Sequence, residues 1–312
     1  MSRKSVRWLA LPLAVAMVAA GCGGSGGSGD DATADTSPGD AAPVEKPFDV
    51  VKQSIETTRD SGTARVSHAL VSDITAFSAN EQSVGVANLK TGDGEWTHDM
   101  SDTPQGLVPA GTPPGQVVQE VREVGKDLFV SLPPAFKAAG IKDTWIRVPD
   151  EPPAGTSGFV GFEGMSPRIA LSARFERPEV AFNILDTASG AREVGTATVR
   201  GKETTRYSID VKLRQMLTDV GLMFFFGNPS TPAELKAIDD LCKEAAHVDV
   251  FVDQLGRIRE LLVDADLTVV APHFDPPQDP KFWRELRVEW DFYDYGVDVS
   301  VKAPTSSVHD AA

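Results

Sequence analysis

The residues able to do chemistry are few and scattered. Five histidines are present, His68, His98, His247, His273 and His309, with two cysteines, Cys22 and Cys242. No two histidines stand four apart, so the paired-imidazole zinc motif of helical metalloproteases is missing. His68 falls among alternating apolar residues and reads as a core residue rather than a ligand. His247 and Asp249 are two apart on one strand face, a spacing that permits a metal pair but more commonly means solvent. Gly155-Thr156-Ser157-Gly158 has the wrong spacing for a nucleophile elbow. No phosphate-cradling loop, dinucleotide fingerprint or calcium loop occurs. Carboxylates are abundant, and with such a surplus neighbouring pairs arise by chance. These observations predict no enzyme, no metal site and no cofactor.

Composition narrows the partners. The chain has 312 residues, 41% of them hydrophobic, and a formal charge of −15 from 30 Lys+Arg against 45 Asp+Glu. That apolar share suits a packed core. The acidic balance argues against nucleic acid, whose phosphates demand clustered cations. It argues equally against charge-driven binding to anionic lipid. Two cysteines exclude a disulfide scaffold and a four-thiolate zinc site.

Residues 1–21 have the form of a signal peptide. Arg3, Lys4 and Arg7 precede an apolar stretch from Trp8 to Ala20. The stretch ends at Ala19-Ala20-Gly21-Cys22, which resembles the lipobox of bacterial lipoproteins. The resemblance implies that Cys22 carries diacylglycerol on its sulfur, with palmitate-type chains, and becomes the mature N-terminus. A plain secretory signal with an incidental cysteine is the other reading. Residues 22–47 are rich in Gly, Ser and Asp, with Val44 their one large apolar side chain, and read as a flexible tether. Cys242 lies in a helical pattern, as a buried inert thiol rather than a reactive one.

The elements that follow are mostly strands. Residues 48–304 are expected to fold as one domain, and 305–312 to form a tail. Phe48, Val51, Ile55 and Thr58 share one helix face. Period-two segments then alternate: Ala64 to Ile74, Val84–Lys90 and Glu95–Met100 around a turn at Thr91–Gly94, Leu128–Leu132 and Trp145–Val148. Val248, Val250 and Val252 oppose His247, Asp249, Phe251 and Asp253. Leu261 to Leu267, Leu286 to Phe292 and Tyr295 to Val301 continue the alternation. Strands with one buried and one wet face build an antiparallel sheet. Two helical regions interrupt them, Pro167–Asp186 with a break at Pro178, and Asp210–Ala246. In the second, Ser230 or Thr231 caps a new helix with Pro232 at its first position. The run Leu222–Phe226 is too apolar for an exposed face, so it packs on the sheet or surrounds a ligand.

Three segments carry a family resemblance: Gly195-Thr196-Ala197-Thr198-Val199-Arg200-Gly201 with Thr204, Thr205 and Tyr207; Val248 through Arg259; and Phe292-Tyr293-Asp294-Tyr295-Gly296 with Val299 and Pro304. With the lipobox, they resemble the actinobacterial LppX/LprG lipoproteins of the LolA-like superfamily. The resemblance implies an α+β fold, a strongly curved antiparallel half-barrel with helices over its concave face. It implies an apolar cavity that binds a lipid or glycolipid, and attachment through the lipid anchor to the extracytoplasmic face of the cell membrane. The cavity candidates are Phe175, Phe182, Leu213, Met216, Leu217, Val220, Met223, Phe224, Phe225 and Phe226, which could equally be an ordinary helix–sheet core. Transport or presentation of the lipid is the expected role. The alternative is a non-enzymatic envelope sensor of the same fold, with a filled core and a protein partner.

Overall fold

The computed structural model describes residues 46–74, 79–99, 118–131, 145–148, 173–219, 223–226, 229–275, 277–306 and 308–310. The expected signal peptide, Cys22 and nearly all of the tether lie outside these residues.

Two antiparallel meanders make the sheet. The first comprises β1 (Thr63–Ile74), β2 (Ala79–Asn88), β3 (Gly94–Asp99), β4 (Val118–Val124), β5 (Asp127–Ser131) and β6 (Trp145–Val148). The second comprises β7 (Gly190–Val199), β8 (Lys202–Asp210), β9 (Ala246–Asp253), β10 (Ile258–Asp266) and β11 (Trp283–Tyr293). They join where β1 pairs with β11, from Arg65 opposite Tyr293 to Ile74 opposite Trp283. A final strand, β12 (Val308–Asp310), adds parallel to β6, giving the order β12-β6-β5-β4-β3-β2-β1-β11-β10-β9-β8-β7. The β7–β8 hairpin closes through Arg200 (φ 45°) and Gly201 (φ 75°), the two left-handed positions that a tight hairpin turn requires.

Helices α1 (Pro47–Asp60), α2 (Pro178–Asp186), α3 (Leu213–Asp219) and α4 (Pro232–Ala245) cover one face. Val51 and Ile55 of α1, Phe182 and Leu185 of α2, Leu213 of α3 and Ile238 of α4 share one core with Val250, Leu261 and Trp290 of the sheet. α2 buries Val180, Ala181, Phe182, Ile184 and Leu185 and so sits deepest of these helices. α1 holds its end: Lys52 Nζ donates to the Asp186 carbonyl (2.8 Å), and Arg59 pairs with the Asp186 carboxylate (3.2 Å) over the Phe182 ring. A short α5 (Leu267–Val270) packs in a satellite cluster with Phe274 and Trp283. The architecture is the α+β open half-barrel expected from the sequence.

One local expectation holds and three change. The break expected at Pro178 is present: residues 173–175 are helical, Arg177 is extended (φ −62°, ψ 127°) because the residue before a proline is driven out of helical geometry, and α2 begins at Pro178. Residues 149–172, which include the expected start at Pro167, lie outside the described residues. The second helical region is narrower than Asp210–Ala246: Asp210 ends β8, Ala246 opens β9, and between them lie α3, a 3₁₀ turn at Met223–Phe226, and α4. Thr231 is its cap, in a reciprocal box with Glu234.

Tyr295–Val301 alternates but leaves the sheet. Positive φ at Asp294 (47°) and Gly296 (87°) turns the chain, and the Gly296 N–H donates to the Thr63 carbonyl (2.8 Å). The Lys302 carbonyl then accepts from Arg122 of β4, so the segment crosses the first meander on the face away from the helices. It ends in β12, which makes part of the expected 305–312 tail a strand. Finally, the outward face of β9 is not wet throughout. His247 is exposed, but Asp249 and Phe251 are buried beneath Arg206, which pairs with Asp249 at 2.6 Å.

Candidate functional site

Of the cavity candidates, Phe175, Phe182 and Leu213 are buried in the core between helices and sheet. Leu217, Met223 and Phe226 are half-buried against it, and Phe226 also meets Phe274 edge-to-face at 5.3 Å. Phe182 stacks on Phe292 of β11 at 5.5 Å. Met216 lies on α3 and Phe224 and Phe225 in the 3₁₀ turn, but their side chains, and Val220 altogether, are outside the described residues. Cys242 is buried on α4, and burial pushes its thiol up to about 11, an unreactive state.

Cross-strand pairing lines up side chains in transverse rows on the helix-covered face. One row begins Tyr207 (β8), Val250 (β9), Leu261 (β10), Trp290 (β11). It continues His68 (β1), Ser83 (β2), His98 (β3), Gln119 (β4), and every member is buried. A second row reads Val248, Val263, Val288, Leu70 and then Glu81. A third stays apolar past β1, through Val66, Gly85, Trp96, Val121, Val130 and Ile146. Gly85 is required there, since a Cβ would lie 2.4 Å from that of Trp96. The polar residues of the first two rows therefore form an island on the first meander, with the apolar third row along one side.

Residues 173–177, just before α2, lie over this island. Glu176 makes a short contact with His98 Nδ1, while Glu81 lies 3.6 Å from His98 Nε2. All three are at most 2% exposed, so water does not screen them. Trp290 Nε1 donates to the Phe175 carbonyl (3.0 Å), and Arg177 donates to Glu123 of β4 through Nε (3.0 Å) and Nη2 (2.5 Å). The segment is thus clamped from β11 to β4. His68 is pushed down to about 3, chiefly by burial and further by charge on His98, so its imidazole is neutral. It packs 5.3 Å from the Trp290 ring.

On the opposite face, Glu260, Glu289 and Asp291 present carboxylate oxygens within 4.8 Å of one another. Asp291 already accepts from Arg200 (2.6 Å) and Ser67 (3.0 Å). Burial raises Glu260 to about 7, with Glu289 and Asp291 adding to the shift. Arg287 and Arg200 offset part of that negative charge.

Sequence reasoning placed His68 correctly in the core but missed the island. Its signal was available: Glu81 and Ser83, His98, and Gln119 and Glu123 all occupy the inward parity of their strands. That parity is legible only once β2, β3 and β4 are in register.

No protein-family profile and no curated protein sequence matches the chain. Among solved structures, the chain is similar to the lipoprotein LppX of Mycobacterium tuberculosis, at 10% identity over 82% of this chain and 97% of that one, with a TM-score of 0.40. It is similar to LprF of Mycobacterium bovis, at 10% identity over 83% and 96%, with a TM-score of 0.43. A LolA superfamily protein of Nitrosomonas europaea matches at 8% identity over 82% and 96%, with a TM-score of 0.27.

Proposed function

We propose that the protein is a membrane-anchored lipoprotein that binds the acyl chain of a lipid or glycolipid between the second meander and its helices. The observation that carries this is the make-up of that layer. The inward residues of β8–β11 in the first row are apolar or aromatic, and what covers them is several short helices rather than one continuous element. Separate short helices can part without unfolding the sheet, and each methylene transferred to such a layer contributes about 0.8 kcal/mol. Leu213, Leu217, Met223 and Phe226 line the α3–α4 part of the cover, where flexible side chains suit irregular chains. The lipobox-like Cys22 supports attachment outside the cytoplasmic membrane, and the role is transport or presentation without covalent chemistry.

The stacked Phe182–Phe292 pair inside the layer supports a second reading, a filled core serving an envelope interaction module. Native mass spectrometry of the full chain and of Cys22→Ser separates the two. Stoichiometric lipid on Cys22→Ser is the expected result, with the wild type heavier by its anchor. A lipid-free mass for Cys22→Ser, unchanged after incubation with membrane lipids, sinks the carrier reading in favour of the interaction module.

A further inference from the structure

The polar island offers hydrogen-bonding groups that the fold does not consume. Among the described residues, His68 Nε2, Glu176 Oε2 and Trp96 Nε1 are buried without a hydrogen-bond partner. Their residues are 4%, 2% and 6% exposed, which leaves water no ready access to them. They are neighbours by register: His68 and His98 flank Ser83 in one row, Trp96 is two residues from His98 on the same face, and Glu176 contacts His98. Native proteins rarely leave buried polar atoms unpaired, and each one so left forfeits the hydrogen bond that it made in water.

The three atoms specify a complementary group. A carboxylate oxygen only accepts, an indole N–H only donates, and a neutral imidazole nitrogen does either according to tautomer. Hydroxyl groups answer all three, because each donates and accepts. A phosphate would face the carboxylates of Glu81 and Glu176, and a quaternary ammonium has no N–H to give. We propose that the island binds the hydroxyl-bearing headgroup of a lipid, a polyol or sugar, whose acyl chain continues along the apolar rows toward Trp290 and Leu261. This rests on the lipid-binding reading above.

The test uses the full chain with Cys22→Ser, stripped of co-purified lipid, and three probes of equal chain length: dodecyl glucoside, monododecanoyl glycerol and methyl dodecanoate. Affinities are read by displacement of a fluorescent fatty acid. One or both hydroxyl-bearing probes should bind roughly tenfold or more tighter than the methyl ester, the worth of one to two hydrogen bonds. The glucoside alone being preferred assigns a sugar, and the glycerol ester alone assigns a polyol. His68→Phe and the milder Ser83→Ala, each checked for fold by circular dichroism, should bring the preference below threefold while leaving the methyl ester unchanged. Equal affinity for all three probes overturns the headgroup site and leaves the lipid reading standing. Binding of none of them overturns the lipid reading itself.

Discussion

The two meanders share one sheet and one cover but obey different rules on their inward faces. In the second meander an inward position is a hydrophobic side chain, as at Val250 and Leu261, and stability there comes from area removed from water. In the first, the same row carries His68, Ser83, His98 and Gln119, and order comes from directed contacts to a clamped segment. Apolar packing tolerates sliding and parting; a buried polar network holds only in one arrangement. The difference assigns adaptability to one half and discrimination to the other.

Substitutions on either side of the boundary should separate these rules. Trp290→Ala removes the indole where the meanders meet, along with its hydrogen bond to Phe175, and should lower unfolding free energy by about 4 kcal/mol in urea titrations. Ser83→Ala, two places along the same row, should cost less than about 1 kcal/mol. Equal costs would erase the distinction. Next in size is Arg177→Ala, which leaves the buried Glu123 carboxylate without its clamp and should cost about 3 kcal/mol. The double variant Arg177→Met with Glu123→Leu should recover most of that loss. If it recovers nothing, Arg177 contributes packing rather than charge.

Much of the second meander was legible because strict alternation and a clear turn at Asp253–Gly256 encode it locally. The Asp253 carboxylate accepts from the backbone N–H groups of Leu255 and Arg257, which fixes that turn within five residues. Thr231-Pro232 with Glu234 marked a helix start for the same reason. What escaped reading depends on distant partners. β1 joins β11 across more than two hundred residues, and no local pattern announces that pairing. Glu81, His98 and Glu123 look like ordinary solvated positions until register shows them facing inward, with Glu176 over His98 and Arg177 over Glu123. Tyr295–Val301 misled in the opposite direction, since its alternation is real but Asp294 and Gly296 turn it off the sheet.

The pH response should also divide the molecule by face. His68 is neutral in the folded protein and takes its proton only near 3, whereas an unfolded histidine does so at 6.5. Its contribution is therefore complete above pH 6.5 and lost as pH falls toward 3, with a slope approaching about 1.4 kcal/mol per unit. Glu260, on the outer face, runs the other way. Its carboxyl is raised from 4.5 to about 7, so the folded state is penalised increasingly as pH rises through that interval. Urea midpoints measured from pH 4 to 8 (roughly the span over which both groups act) should show His68→Gln flattening the acid limb. Glu260→Gln should raise stability near pH 8, by less because the group is partly exposed. Parallel curves for wild type and His68→Gln would mean that His68 is not the buried neutral group of the island.

Another small effect bears most directly on the cover. Thr231 accepts from the Glu234 N–H and begins α4, whose inward residues Ile238 and Cys242 touch the core while most of its surface faces solvent. Thr231→Ala should cost about 1 kcal/mol, the usual worth of such a cap. If α4 opens as a unit of its own, amide exchange should accelerate across residues 232–245 while protection in β1–β4 stays unchanged. Release of a bound acyl chain should then quicken by a similar factor, because the same opening limits both. Equal loss of protection in both meanders would show instead that cover and sheet open only together. A lipid could then leave only by global unfolding, and the adaptability assigned to the second meander would have no structural basis.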